Sequence, residues 1–349
     1  MLIILGNENS SDTLLWEKAC AEYTDLVEYK VVNLTGSDWL KDIQEIKKVD
    51  YLLTKPGGHT SLFKQLYDER LTILVKELKY LAFPTLDEIL IYENKRYFSY
   101  WLKAYNLPHP ETLISYDKNE AMDFVRNTRY PIVAKLNIGA SGNGIEILRG
   151  INEGVKYVTE IFTKGKTSRT GPKVNKGKII KRFLRKTTHP KELIERIKVY
   201  RAIASDYQKG FVFLQEYIPH QYEWRVVRIG DSFFAHKKLL KKDKASGSLI
   251  KGYVNPPKKL LDFVKEITDH FGFYSQAVDI FEPEEGDYLI NEMQCIFGQS
   301  DSYQMMVDGK PGRYIKKGEK WIFEEGLFNQ NESYNLRLEF VLDQLKKKR

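Results

Sequence analysis

Cysteine is scarce in this chain. Cys20 and Cys295 stand far apart, which excludes a disulfide framework and suits a reducing compartment. The histidines, His59, His109, His189, His220, His236 and His270, are scattered with no partner at metal-ligand spacing, so no zinc site is expected. No run approaches 18 apolar residues, so no membrane span is expected. The first residues, MLIILGNENS, carry no positive n-region and no cleavage site. Leu2 to Leu5 therefore reads as a first buried strand and not as a signal peptide. No G-x-G-x-x-G follows that strand, and no G-x-x-x-x-G-K-[ST] occurs. The dinucleotide fingerprint and the P-loop are both excluded.

What is present is a chain of 349 residues, 42% hydrophobic and 29% charged, long enough for two or three domains with cores of their own. The formal charge is +8, and it is concentrated. Residues 164–198 hold 13 Lys/Arg against two Glu, a local +11 that leaves the rest near −3. Only Phe183 lies among those lysines, so the segment lacks the aromatic interleaving of RNA readers. It reads either as a solvated insertion or as a docking surface for an acidic substrate.

Strands and helices alternate over residues 1–90, which predicts a small parallel α/β domain. A second unit opens with a helix over Glu93 to Tyr105. From Phe211 the pattern turns to strands, FVFLQEYI, EWRVVRI, SFFAHKKLL, SQAVDIF and DYLINEM, with Gly230-Asp231 as a hairpin turn. Helices are expected over Lys258 to Phe271 and from about Glu332 to Leu345.

Pro131 to Leu148 reads PIVAKLNIGASGNGIEIL: a buried strand ending on Lys135, a loop from Gly139 through Ala140, Ser141, Gly142 and Asn143 to Gly144, and a second strand. Small residues let backbone N–H groups approach phosphate oxygens, and lysine adds a point charge. By itself the stretch fits a phosphate cradle or a plain hairpin. Further on, Asp279 and Glu292 end two strands of one expected hairpin, inside apolar runs. Glu292 and Gln294, at i and i+2, share a face. Buried carboxylates need a cation or donors, and an all-oxygen set suits Mg2+ carried by nucleotide phosphates.

In order and spacing, residues of about 90–300 resemble the ATP-grasp superfamily of carboxylate–amine or thiol ligases. The hinge-to-loop stretch is most similar to the branch with ribosomal-protein and small-peptide glutamate ligases and polysaccharide-cluster enzymes. The resemblance implies an ATP-grasp α/β (α+β) fold, in which a small N-terminal α/β domain precedes two α+β subdomains gripping ATP. The expected boundaries are 1–90, 91–210 with the glycine loop and basic insertion, and 211–349 with hinge and metal site. The resemblance further implies that Lys95, Lys135 and Gly139 to Gly144 meet the phosphates. It implies adenine reading by the hinge Gln215, Glu216, Tyr217 and Ile218, and ribose binding by Glu223. It implies metal binding by Asp279, Glu292 and Gln294, where the family has Asn at the last position. Arg225, with Lys237 and Lys238, is the candidate for the acyl phosphate or developing oxyanion, although the family more often has arginines at the end of this strand.

The implied activity is an ATP- and Mg2+-dependent ligase, with Mn2+ as the alternative ion, joining a carboxylate to an amine through an acyl phosphate. The rival readings are a nucleotide-binding protein or kinase on the same fold, and an anionic-polymer or RNA binder. Expected partners are a small carboxylate and an amine, an acidic one included, with no membrane and no nucleic acid. A cytoplasmic location is expected, and the oligomeric state is left open, a dimer included. Gly57-Gly58-His59-Thr60 is the best candidate for a substrate contact before residue 90, and Cys295 reads as a packed thiol.

Overall fold

The computed structural model describes residues 1–57, 60–139, 144–167, 201–241, 244–245, 250–284 and 287–348. Two compact units form. One comprises Met1–Gly58, Leu62–His109 and Ile218–Arg349, the other Pro110–Tyr217 with the short piece His59–Ser61.

The first unit contains two sheets. The run LIIL becomes the strand Leu2–Gly6, buried at every position, and it sits inside a four-stranded parallel sheet. The order is Tyr29–Asn33, Leu2–Gly6, Tyr51–Leu53, Ala82–Phe83. A continuous apolar run is what a parallel strand covered on both faces requires. The helix Leu14–Ala21 and the last helix, Tyr334–Lys347, share one core with this sheet. Trp16 meets Tyr334 edge-on at 4.9 Å between ring centroids. The helix Leu86–Ile91 starts at a capping box in which Thr85 N–H donates to Glu88 Oε2 at 2.8 Å, satisfying an otherwise orphaned backbone group.

The other sheet of this unit has nine strands. Its main path runs Leu289–Gln294, Ser275–Phe281, Tyr222–Ile229, Ser232–Lys241, Lys310–Lys317, Met306–Val307. The expected turn at Gly230-Asp231 joins Tyr222–Ile229 to Ser232–Lys241 with Ile229 opposite Ser232. The helix Lys258–Phe271 matches its expected span and stops at Gly272, whose φ of +65° is the left-handed conformation that ends many helices.

In the second unit, strands Thr112–Ser115, Val212–Glu216, Ile132–Lys135 and Ile145–Leu148 form an antiparallel sheet in that spatial order. Its core joins Ala121 and Val125 of the helix Lys118–Asn127 to Tyr157, Val158 and Ile161 of the helix Ile151–Thr163. Gly154 allows the close approach, since a Cβ there would lie 2.9 Å from Val125 Cβ and 2.3 Å from Tyr130 Oη.

These units divide the chain differently from the boundaries 1–90, 91–210 and 211–349 expected from sequence. The physical reason is the last helix, which buries Tyr334, Leu338 and Val341 in the core of the N-terminal sheet and so joins the two ends of the chain. Residues 91–109 cluster with that unit, and the strand Val212–Glu216 with the second.

Candidate active site

The nine-stranded sheet carries the densest set of chemical groups. Antiparallel register places Arg225 opposite both Asp279 and His236, Glu223 opposite Lys238, and Asp279 opposite Glu292. Arg225 binds Asp279 in a fork, Nε to Oδ1 at 2.7 Å and Nη2 to Oδ2 at 2.8 Å. Lys238 Nζ donates to Asp279 Oδ2 at 2.7 Å and to Glu223 Oε2 at 2.6 Å. Asn291 Nδ2 donates to Glu223 Oε1 at 3.2 Å, and Arg225 Nη2 to Gln294 Oε1 at 3.4 Å. The register shifts between Asp279 and Ile280, so that Glu292 faces Asp279 while Ile290 faces Ile280. The intervening Asn291 is thereby turned toward Glu223, the re-aiming that bulges provide.

Charge balance explains the cluster. Burial opposes the carboxylate of Asp279, but Arg225 and Lys238 outweigh it and hold the group below the usual range. Burial likewise opposes Arg225 and Lys238, and Asp279, with Glu223, raises both above their ordinary values. His236 goes the other way. Burial, then the positive charges of Arg225 and Lys251, lowers it to about 3. Its Nδ1 lies 3.1 Å from the carbonyl of Gln304. A carbonyl only accepts, so Nδ1 carries the proton, and Nε2 is a buried lone pair with no hydrogen-bond partner among the described residues.

Of the residues assigned to this end of the site, Arg225, Lys238, Glu223, Asp279 and Gln294 are brought together. Lys237 is not. Strand alternation turns it to the opposite face, over the rings of Tyr222 at 3.6 Å and Trp224 at 5.0 Å, and its placement beside Arg225 is corrected here. Lys238 is enclosed by two carboxylates, so it compensates charge. Lys251, opposite Lys238 in register, was not foreseen. It donates to Gln299 and, at 2.8 Å, to Asp301. Period-two alternation puts the neighbours Lys237 and Lys238 on opposite faces; which of the two meets Asp279, and that Lys251 comes opposite Lys238, follow only from strand pairing.

The donor set fits a hard cation only in part. Glu292 and Gln294 offer oxygens on one face. Both oxygens of Asp279 accept from cationic donors, Arg225 and Lys238, and Gln294 Oε1 accepts from Arg225 as well. No group of three or more His, Cys, Asp or Glu suited to a metal occurs among the described residues.

In the second unit Lys135 ends its strand and is 8% exposed. Leu136 N–H donates to Gly144 O at 2.8 Å and closes the loop. Gly144 has a φ of +74°, and a Cβ there would press on Leu136 at 3.0 Å, so glycine is required. Ala140 to Asn143 lie outside the described residues. Gln215 is buried, its Nε2 donating to Thr112 Oγ1 at 3.0 Å. Glu216 is exposed, and its N–H donates to Glu111 O at 2.8 Å. Tyr217 is half-buried in this unit, whereas Ile218 is buried and clusters with the first. Lys95, in the first unit, opens the helix Lys95–Ala104 behind the Asn94 cap, with Nζ 3.9 Å from Glu93 Oε2. Gly57 packs on Asn7 and Tyr67, where a Cβ would overlap both. Gly58 and His59 lie outside the described residues, as do Ser246 to Ser248 and most of the basic segment. Cys295 is a buried free thiol, pushed up by burial, as expected of a packed cysteine.

No family model matches the sequence. A RimK domain ATP-grasp protein from Sphaerobacter thermophilus aligns over 98% of this chain and 99% of its own, with a TM-score of 0.55 at 13% identity. A D-alanine–D-alanine ligase from Bacillus anthracis aligns over 99% and 98%, with a TM-score of 0.52 at 12% identity. The chain has the ATP-grasp fold. In sequence it is 19% identical over 259 residues to the α-aminoadipate–LysW ligase LysX of Saccharolobus solfataricus, 72% of this chain and 78% of that one. It is 29% identical over 145 residues to the arginine-specific carbamoyl phosphate synthase large chain of Halalkalibacterium halodurans. That match spans 41% of this chain and only 13% of the relative.

Proposed function

We propose that the protein is an ATP-dependent ligase that joins a carboxylate to an amine through an acyl phosphate. The observation that carries this reading is the convergence of Arg225, Lys238, Asp279, Glu223 and Gln294 on one face of an ATP-grasp sheet. Such a face holds a guanidinium rigidly where negative charge develops. In the first half-reaction a carboxylate oxygen attacks the γ-phosphorus of ATP and ADP leaves. In the second an amine adds to the acyl carbon, phosphate departs, and the amine loses a proton.

The chain's own part is positioning and charge cancellation. Asp279 fixes the Arg225 plane through two parallel hydrogen bonds, from Nε and Nη2. Lys135 and the loop from Gly139 to Gly144 bind phosphate oxygens, Lys95 adds charge, Gln215 to Ile218 take the base, and Glu223 takes the ribose. Glu292 and Gln294 would hold Mg2+, or Mn2+, which supplies positive charge to the phosphates when bound. The substrates are a small carboxylate and an amine, an acidic one among them. The setting is the cytoplasm, supported by two buried free thiols. No helix among the described residues is long and apolar enough to cross a membrane.

Phosphate and ADP release from ATP and Mg2+ should be measured with pools of carboxylates and amines. Release that requires both pools supports the ligase. ADP formed with no amine requirement would replace it with a kinase or nucleotide-binding protein on the same fold.

A further inference from the structure

We infer that Gln208 is a positioning residue for ATP, anchoring the root of the glycine loop from the neck of the basic insertion. The inference rests on the ligase reading, which gives that loop the phosphates. Residues 166 and 208 flank the segment 168–200, and they pair as an antiparallel bridge. Lys166 N–H donates to Gln208 O at 2.9 Å and Gln208 N–H to Lys166 O at 2.8 Å. The neck is specific in its backbone. Gly165 has a φ of +77°, and a Cβ there would meet Gln208 O at 2.9 Å, so glycine is required.

From this neck, one side chain reaches each side of the glycine loop. Before the loop, Gln208 Oε1 accepts from Asn137 N–H at 2.6 Å, while its Nε2 donates to Phe211 O at 3.3 Å. After the loop, Lys166 Nζ donates to both oxygens of Glu146 at 2.7 and 2.9 Å. It also lies 3.2 Å from Glu160 and 4.5 Å from the Tyr157 ring centroid. Glu146 is exposed and Glu160 half-buried, so these ion pairs are largely screened and weak. The Gln208 bond ends on a backbone N–H two residues after Lys135, so it is the stronger constraint on where the loop starts. A phosphate cradle made of backbone N–H groups works only if its root is fixed.

The test uses the whole protein with ATP, ADP and AMP as probes. Gln208→Ala and the near-isosteric Gln208→Met both remove the anchor, and the second keeps the side-chain volume should the first fail to fold. Calorimetry should show ATP and ADP bound roughly fivefold to tenfold more weakly, the effect of about one lost hydrogen bond. AMP affinity should stay within about twofold, and amide exchange at Asn137 should accelerate. A merely structural role would weaken all three nucleotides alike, and that result overturns the inference. Unchanged ATP affinity in a folded variant, beside a wild type that binds ATP, overturns it and leaves the ligase reading intact. A wild type that binds no ATP overturns both.

Discussion

Arg225 and His236 face each other across two strands and respond to burial in opposite ways. Arg225 stays charged because Asp279 lies against it. Arg225→Ala would leave Asp279 buried with Lys238 alone, and breaking such a pair costs about 3 kcal/mol or more. We expect lost turnover together with a lower denaturation midpoint, and full stability in this variant would show that the pair is not buried in solution. His236, with no carboxylate bonded to it, stays neutral. Its folded pKa lies below its ordinary value, so the unfolded chain binds a proton first as pH falls. The resulting loss of stability begins near pH 6.5, grows toward about 3, and amounts to ~5 kcal/mol at most. An NMR titration should find the His236 ring unprotonated at pH 5, and protonation near 6.5 would disprove its burial. Glu88 has the reverse sign. Burial raises it to about 7, so it weakens the fold as pH rises from about 4.5 toward 7. Glu88→Gln should flatten that slope in chemical denaturation measured from pH 5 to 8.

At the scale of elements, the strands Ile132–Lys135 and Ile145–Leu148 show how a local pattern becomes a paired structure. IVAK followed by a glycine loop and IEIL predicts two paired strands, and the pairing is observed with Lys135 opposite Ile145. Lys135→Ala should abolish ATP turnover and leave the melting curve nearly unchanged, because the lysine caps the strand end while Ile132 and Ala134 fill the core. Unaltered ATP affinity in calorimetry would remove Lys135 from the phosphates. The strands Lys310–Lys317 and Lys320–Glu325 were not legible. Each carries charged residues on a largely half-exposed surface, so the period-two apolar signal is diluted. The bulge at Asp279 was also hidden, since an extra residue in one strand is set by its partner and not by its own sequence.

Across the whole molecule, the contact of Trp16 with Tyr334 joins the first helix to the last. Trp16 is fully buried, and its Nε1 donates to Thr54 O at 3.0 Å. Trp16→Ala should cost about 3–5 kcal/mol, lower the thermal midpoint, and expose both ends of the chain to protease together. Cleavage confined to the first helix would show that the ends are separate folding units. By itself the sequence determined what depends on neighbours along the chain. That covers the parallel run of LIIL, the helix ending at Gly272, the Gly230 hairpin turn, and the lysine-and-glycine loop. It also put Asp279 and Glu292 on the two strands of one hairpin, although the register shift beside Asp279 is what sets them opposite each other. Only the tertiary structure decided what depends on register across distant strands. It turned Lys237 away, gave Asp279 to Arg225 and Lys238, opposed His236 to Arg225, and brought Lys251 to Asp301. The reason is physical: a side chain's face follows from strand alternation, but its partner follows from which strands pair and where a bulge shifts them.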